Sequence, residues 1–187
     1  MLVAKIIKNL KWKRVLSHMK FSGIDNKIGL DFSVHGEKYI TIKNHFRGGK
    51  HVIIDAIDSY NGKSTGMVPE IVIEDNVTFT DNCYVSCINK IHIGSGTLLG
   101  PNTFVCDNFH GNNSAEEREI IPSKRDLYSK GPVLIGRNVW VGRNVCVMPG
   151  VKIGDGAIIG ANSVVTRDIP ERCVAAGVPA KILKQIV

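Results

Sequence analysis

Aromatic side chains are scarce in this sequence. They make up 6% of the 187 residues, although hydrophobic residues together reach 43%. Phe, Tyr and Trp supply much of the buried area of ordinary globular cores. We therefore expect a core of small and β-branched side chains. The length suits one domain better than two.

The sequence also lacks any Cys-x-x-Cys pair and any apolar run long enough to span a membrane. Its five cysteines are an odd number, which disfavours a disulfide framework. A short apolar patch near the N-terminus is interrupted by Lys5 and Lys8, and no cleavage site of small residues follows it. We expect reduced cysteines and a cytoplasmic protein.

Acidic residues are outnumbered by basic ones, 17 against 24, which gives a formal net charge of +7. Such a charge suits polyanionic partners. No nucleic-acid-binding motif is present, and aromatic residues do not alternate with the basic ones as they do on a base-stacking surface. We therefore expect no nucleic-acid binding and assign the basic residues to a phosphorylated cofactor.

What the sequence does contain is a repeat of six residues. An apolar or small residue lies two positions before each repeated aliphatic residue, and Gly, Asn or Asp lies three positions after it. The aliphatic residues are Ile135, Val141, Val147, Ile153, Ile159 and Val165. A spacing of two is the side-chain period of a strand, and Gly, Asn and Asp tolerate the positive φ of a tight turn. Such repeats predict a coil whose turns stack into parallel sheets.

The same spacing runs through residues 73–108 with a two-residue insertion near Ile88, and residues 39–42 resemble an irregular earlier repeat. Between residues 108 and 132 the repeat gives way to a polar stretch, which predicts an excursion loop. We expect a single domain, 1–187. Its predicted parts are an N-terminal cap segment (1–30), a coil (34–168) and a C-terminal tail (169–187).

The two ends of the chain do not repeat. Residues 1–20 carry two apolar stripes on opposite faces, which predicts two short helical turns or a kinked helix covering the open end of the coil. A basic helix on a membrane surface is the alternative. Pro170 and Pro179 are expected to end the coil.

Residues 136–142, 149–156, 163–170 and 176–181 closely resemble the hexapeptide-repeat acyltransferases. Within them, the resemblance is greatest to the maltose, galactoside, nodulation-factor and capsular polysaccharide O-acetyltransferases. It is strong over residues 133–184 and weak before residue 71. It implies an all-β fold, a left-handed parallel β-helix, with acetyl-CoA as co-substrate. It also implies a homotrimer with active sites between subunits.

Acyl transfer to a hydroxyl needs a base that removes the hydroxyl proton, and a neutral histidine suits that role. His110 opens the excursion loop, where the resembling enzymes place their catalytic base. An ordinary loop histidine is the alternative. Asp107, or one of Glu116, Glu117 and Glu119, could orient its imidazole.

No activated nucleophile is evident, because Cys83 and Cys106 lie on or beside strands and are expected to be buried. The prediction is therefore direct attack by the acceptor on acetyl-CoA rather than an acyl-enzyme. His92, at an outward strand position, is expected to be a solvated histidine.

The resemblance implies that acetyl-CoA lies along the second block of repeats. The positions that match cofactor contacts are Trp140, Gly142, Arg143, Ala161, Thr166, Arg167, Lys181 and Lys184. Small residues at 142 and 161 would let the pantetheine approach the backbone, and the Arg143 N–H is the candidate oxyanion donor. The alternatives are solvated tail charges for the two lysines and packing under the loop for Trp140.

The sequence thus predicts an O-acetyltransferase acting on a saccharide or polysaccharide precursor, with the acceptor unidentified. Two alternatives remain open, a xenobiotic (antibiotic) O-acetyltransferase and a noncatalytic β-helix scaffold subunit. A γ-class carbonic anhydrase shares the coil but needs three converging imidazoles, and no suitably spaced histidine follows His110. We expect no metal site.

Overall fold

Three parallel sheets wrap around one apolar core in the computed structural model, which describes residues 12, 15–112 and 114–186. Each turn of the chain adds one short strand to each sheet, so the sheets form the three faces of a prism. The fold is the predicted left-handed parallel β-helix. We call the edge between the second and third sheets the 2–3 edge, and that between the third and first sheets the 3–1 edge.

The strands of each sheet are very short, as the six-residue repeat requires. The first sheet contains Phe21–Ser22, Ile40–Ile42, Glu70–Ile73, Lys90–Ile93, Val133–Ile135 and Lys152–Ile153. The second contains Lys27–Ile28, Arg47–Gly48, Thr78–Phe79, Leu98–Leu99, Trp140–Val141, Ile158–Ile159, Cys173–Gly177 and the antiparallel Ala180–Gln185. The third contains Ser33–His35, Ile53–Ala56, Tyr84–Cys87, Phe104–Cys106, Cys146–Val147 and Val164–Val165.

The remaining described elements lie outside the three faces. They are two antiparallel hairpins, Ser59–Tyr60 with Lys63–Ser64 and Phe109–His110 with Leu127–Tyr128, and two 3₁₀ helices, Glu37–Tyr39 and Pro122–Lys124. Residues 15–18 are helical.

The core is built as the repeat predicts. Ile135, Val141 and Val147 point inward, and none is more than 1% exposed. The buried aromatic side chains Phe32, Phe46 and Phe79 form an edge-to-face row near the first coils, and every other buried position holds a smaller side chain within the described ranges. The low aromatic content therefore reflects a narrow interior that two aliphatic side chains per repeat fill.

Positive φ marks the turns between faces, and it occurs at Asn138, Asn144, Gly150, Gly156 and Asn162 as the repeat predicts. Asp168 was expected to adopt it and does not. Its carboxylate instead accepts a hydrogen bond from the Lys152 N–H at 2.8 Å. The prediction fails there because the last coil is shorter than the ones before it.

Four asparagines form a ladder along the 2–3 edge. They are Asn82, Asn102, Asn144 and Asn162, and each amide nitrogen donates to the next side-chain oxygen at 2.7–2.9 Å. All four have positive φ. The repeated turn conformation places these side-chain amides one above the other, and the ladder provides their hydrogen-bond partners.

Coil length varies at one edge only. Stacked residues are 18 positions apart in the second block, as for Asn144 and Asn162, and 20 apart in the first, as for Asn82 and Asn102. They are 31 or 42 apart where a coil carries an excursion. Both excursions leave the 3–1 edge, one as the predicted loop and one as the unpredicted hairpin of residues 59–64.

The coil is longer than the predicted range 34–168. It begins at Phe21, which pairs with Thr41, and it continues through Cys173–Gly177 in the second sheet. Pro170 does not end it, because Val174 and Ala175, which follow the proline, still pair with Ile158 and Ile159 in the second sheet.

The helical prediction for residues 1–20 falls largely on residues 1–11, 13 and 14, which lie outside the described residues. Trp12, Val15 and Met19 pack against the core, and the Trp12 ring lies 5.4 Å from Phe32 between centroids. No helix in the described ranges is long and apolar enough to cross a membrane.

Substitutions of Asn102 separate two contributions of the ladder residues to stability, their positive φ and their side-chain hydrogen bonds. Asn102→Gly keeps positive φ accessible, whereas Asn102→Ala must adopt it at a cost of about 1–2 kcal/mol. Both lose the side-chain hydrogen bonds. We expect urea unfolding to show Ala less stable than Gly by about 1 kcal/mol. Equal losses would mean that the ladder, not the backbone conformation, stabilises this turn.

Candidate functional site

His110 lies on the 3–1 edge, directly after the Phe104–Cys106 strand of the third sheet. It belongs to the strand Phe109–His110, which pairs with Leu127–Tyr128 across the base of the excursion loop. Its imidazole is exposed, and the Tyr60 ring lies against it at 5.4 Å between centroids and 63° between planes. The His110 imidazole is therefore accessible to solvent, and its backbone is fixed by strand pairing.

Asp107 is fully buried and does not orient His110. One carboxylate oxygen accepts the Ile88 N–H at 2.8 Å, and the other accepts the Asn89 N–H at 2.9 Å and lies 3.2 Å from the Cys87 sulfur. The hypothesis of an orienting role is wrong for this residue, because the carboxylate closes the two-residue insertion of the neighbouring coil.

Two of the loop glutamates, Glu116 and Glu117, make hydrogen bonds within the loop. Glu117 accepts a hydrogen bond from the Asn112 N–H, beside the turn that follows His110. A hydrogen bond from Ser114 lowers the pKa of Glu116. Within residues 15–112 and 114–186, no carboxylate hydrogen-bonds to the His110 imidazole.

The cysteines behave as structural residues. Cys83 and Cys106 are buried as predicted, and burial raises the pKa of each thiol to about 11. Burial also raises the pKa of Cys87. These three thiols remain protonated at neutral pH, which is unfavourable for a nucleophile.

A groove of about 440 Å³ runs along the 2–3 edge of the second sheet. It brings together four of the predicted cofactor positions, Trp140, Gly142, Arg143 and Ala161. Trp140 is 56% exposed and points outward as predicted. Apolar side chains on neighbouring coils, Leu98 and Ile158 among them, complete the groove. It therefore offers an apolar surface beside exposed backbone.

Backbone donors line this groove. The Gly142 N–H donates to the Ile159 carbonyl at 2.8 Å, and the Asn144 N–H donates to Pro101 at 2.9 Å. In the described part of the chain, the N–H groups of Arg143 and Ala161 have no such carbonyl partner. Gly142 is also required by coil stacking, since an added Cβ would lie 2.7 Å from the Ala161 nitrogen.

The other four predicted positions divide between two places. Lys181 and Lys184 lie on Ala180–Gln185, where Lys184 pairs with Val174 in the row of the second sheet that contains Trp140. Thr166 and Arg167 are exposed on the 3–1 edge, immediately after the strand Val164–Val165. The second sheet and its 2–3 edge thus carry six of the eight predicted positions, and the edge of His110 carries two.

Within one chain, His110 and the groove lie on opposite edges of the third sheet. Each strand of that sheet separates the 2–3 edge from the 3–1 edge. The residues predicted to bind the cofactor and the residue predicted to act as base therefore do not form one continuous site in a single copy.

A larger groove of about 640 Å³ lies on the first sheet, away from all of these residues. Three of its charged or titratable side chains, His92, Arg137 and Asp155, are already paired. His92 lies 3.2 Å from Glu74, and Arg137 donates two hydrogen bonds to Asp155 at 2.8 and 2.9 Å. We do not assign chemistry to this groove, because size alone distinguishes it.

The sequence interpretation missed Tyr60, although a signal was present. Asn61 and Gly62 have φ of 51° and 77°, the pattern of a two-residue hairpin turn. An Asn-Gly pair between two short runs is a strong hairpin signal. The runs Ser59–Tyr60 and Lys63–Ser64 are only two residues each and largely polar, so periodicity did not reveal them.

Comparison with known proteins identifies the same repeats that form the coil. The profile of the bacterial transferase hexapeptide (six repeats) matches residues 132–167. Residues 132–167 of this chain therefore match the hexapeptide-repeat model, and they coincide with the second block of repeats. The chain is 43% identical over 119 residues to a putative lipopolysaccharide biosynthesis O-acetyl transferase, WbbJ, of Escherichia coli strain K12. That match covers 62% of the chain and 60% of the relative, so the chain spans about three fifths of the relative's length.

Two solved structures show the same fold. A maltose O-acetyltransferase from Clostridium difficile is 26% identical, with a TM-score of 0.57 over 92% of this chain and 73% of that one. A point mutant of AntD, an N-acyltransferase from Bacillus cereus in complex with dTDP-4-amino-4,6-dideoxyglucose and coenzyme A, is 17% identical. Its TM-score is 0.75 over 96% of this chain and 89% of that one.

The buried carboxylate of Asp107 makes a testable contribution to stability. Asp107→Asn places an amide where two backbone N–H groups need an acceptor, and we expect a loss of about 1–3 kcal/mol in the free energy of unfolding. Asp126→Asn is the matched control in the same loop, because its side chain is 75% exposed. Unchanged stability of Asp107→Asn in urea titrations would contradict the assigned role.

Proposed function

We propose that this protein transfers an acetyl group from acetyl-CoA to a hydroxyl of a saccharide, with His110 as general base. The observation that carries the proposal is the exposed His110 imidazole, held on a hairpin at the edge of a coil with no activated thiol among Cys83, Cys87 and Cys106. The O-acetyltransferases among its relatives support the reaction type.

The proposed reaction is a direct transfer. The imidazole accepts the proton of the acceptor hydroxyl as its oxygen attacks the thioester carbonyl. The carbonyl carbon becomes tetrahedral, and its oxygen gains charge that a backbone N–H can stabilise. The carbon–sulfur bond then breaks, and the imidazolium returns the proton to the leaving thiolate. The products are an O-acetyl ester and free CoA.

The groove at the 2–3 edge suits the narrow pantetheine chain of acetyl-CoA. The surface formed by Leu98 and Ile158 is apolar, and the unpaired N–H groups of Arg143 and Ala161 can donate to pantetheine amides or to the thioester oxygen. Lys184 continues the row of Trp140, and Lys181 lies nearby on the same strand, where both could bind phosphate groups. A coenzyme A complex of a protein with this fold supports the assignment.

We further propose a homotrimer, because one copy keeps His110 and the groove apart. The outward row of the third sheet is apolar and consists of Ile53, Tyr84, Phe104, Cys146 and Val164. Packing this face on the second sheet of the next copy would place the 3–1 edge, with His110, Thr166 and Arg167, at the border of the neighbour's second sheet, whose outward row contains Trp140. A head-to-tail contact of this kind closes into a ring.

Thiol release from acetyl-CoA with a panel of sugars, amino sugars and chloramphenicol-like alcohols tests the activity. We expect sugar-dependent release, and His110→Ala should lower kcat by about a hundredfold or more if the imidazole is the base. His92→Ala is the matched control, since His92 is an outward histidine of the first sheet. It should leave kcat within about twofold.

Other outcomes of that assay redirect the proposal. Release with amino sugars alone would make the enzyme an N-acyltransferase, and release with antibiotic-like alcohols alone would make the acceptor a xenobiotic. Full activity of His110→Ala would remove His110 from the mechanism. Absence of both turnover and acetyl-CoA binding in calorimetry would leave the noncatalytic scaffold.

The trimer is tested by the mass in solution. Light scattering should give about three times the chain mass of 20.5 kDa. Phe104→Glu places a charge on the outward face of the third sheet and should dissociate the assembly and abolish acetyl transfer together. Leu134→Glu, on the outward face of the first sheet, is the matched control and should leave the trimer intact. A monomeric wild type with full activity would overturn the proposed arrangement.

A further inference from the structure

We propose that Tyr60 is a positioning residue for His110. The hairpin of residues 59–64 binds the excursion loop and thereby keeps the Tyr60 ring against the His110 imidazole. This inference rests on the proposed role of His110 as base. The hairpin and the excursion loop leave the same edge of the coil, from strands that are separated by one intervening strand of the third sheet. Their contact is therefore made outside the coil.

Two hydrogen bonds from adjacent residues converge on one carbonyl of the excursion loop. The Tyr60 hydroxyl donates to the Ser123 carbonyl at 3.2 Å, and the Asn61 amide donates to the same oxygen at 2.7 Å. The Lys63 ammonium lies 3.6 Å from the Asp126 carboxylate. Ser123 lies in the 3₁₀ helix Pro122–Lys124, so the hairpin contacts the loop just before it returns through Leu127–Tyr128 to the strand of His110.

The hairpin itself is anchored to the coil. The Thr65 N–H donates to the Asp58 carbonyl at 2.9 Å and closes the base of the hairpin. The Asp58 carboxylate accepts the Tyr39 hydroxyl at 2.9 Å and lies 3.2 Å from the Lys38 ammonium. Those two contacts lower the pKa of Asp58, with the Tyr39 hydrogen bond the larger cause. The position of Tyr60 is thus set by the neighbouring coil.

The Tyr60 ring meets the imidazole edge-on, a geometry in which the positive edge of one ring faces the negative face of the other. Histidine bases are commonly oriented by a carboxylate. In the part of the chain that the structure describes, none hydrogen-bonds to His110, and Asp107 is committed to the 88–89 turn. The Tyr60 ring therefore restricts the orientation of the His110 imidazole, a role that a hydrogen bond to a carboxylate has for other histidine bases.

A double-mutant cycle in thiol release distinguishes positioning from a general structural role. Tyr60→Leu removes the ring and should lower kcat by about tenfold, with KM for acetyl-CoA within about twofold of wild type, since only the geometry of the base changes. Tyr60→Phe keeps the ring, while Asn61 still binds Ser123, and should restore most of kcat. In the His110→Ala background, Tyr60→Leu should cost less than about twofold, because there is no imidazole left to position.

Tyr128→Leu is the matched control, because Tyr128 is a 44% exposed tyrosine on the strand paired with Phe109–His110. It should leave kcat near wild type, and thermal unfolding of every variant verifies that it folds. An equal loss from Tyr60→Leu in both backgrounds, or an equal loss in Tyr60→Phe, would overturn the positioning role while leaving His110 as base. Unchanged kcat in His110→Ala would instead refute His110 as the base of the proposed function.

Discussion

Every coil of this protein must lie directly on the coil before it, because the backbone of each strand finds its hydrogen-bond partners in neighbouring coils. That stacking requires turns of constant shape, which positive φ at Asn or Gly provides. It also requires two inward aliphatic side chains per repeat. Ile135 and Val133 show the result, since both are at most 1% exposed. The low aromatic content and the groove at the 2–3 edge both follow from this constraint.

The same constraint explains where the chain can vary. The 2–3 edge is fixed by the asparagine ladder. The opposite edge of the second sheet contains close backbone contacts, since a Cβ at Gly94 would lie 2.5 Å from the Gly136 backbone. Extra residues therefore accumulate at the 3–1 edge, where the hairpin of residues 59–64 and the excursion loop project side by side. His110 and Tyr60 come together because both insertions are restricted to that edge.

Much of the fold could be predicted because each repeat is a local signal, whereas contacts between insertions are not. The spacing from Ile135 to Val165 predicted the faces and the core. Four of the positions predicted to contact the cofactor, Trp140 among them, line one groove. The orienting role considered for Asp107 was wrong, because its partners at Ile88 and Asn89 belong to another coil. Tyr60 escaped notice because its hairpin strands are too short for periodicity.

A stack of coils behaves as a one-dimensional lattice in which each unit interacts only with its nearest neighbours, so fluctuations at one end decay within a few units. The contact of Tyr60 and Asn61 with Ser123 adds a coupling between second neighbours, because the strand Tyr84–Cys87 lies between the strands from which the two insertions arise. Local opening of any one of these three coils must then break contacts in the other two. The coil that leads to His110 is thereby connected to its second neighbour as well as to its nearest ones.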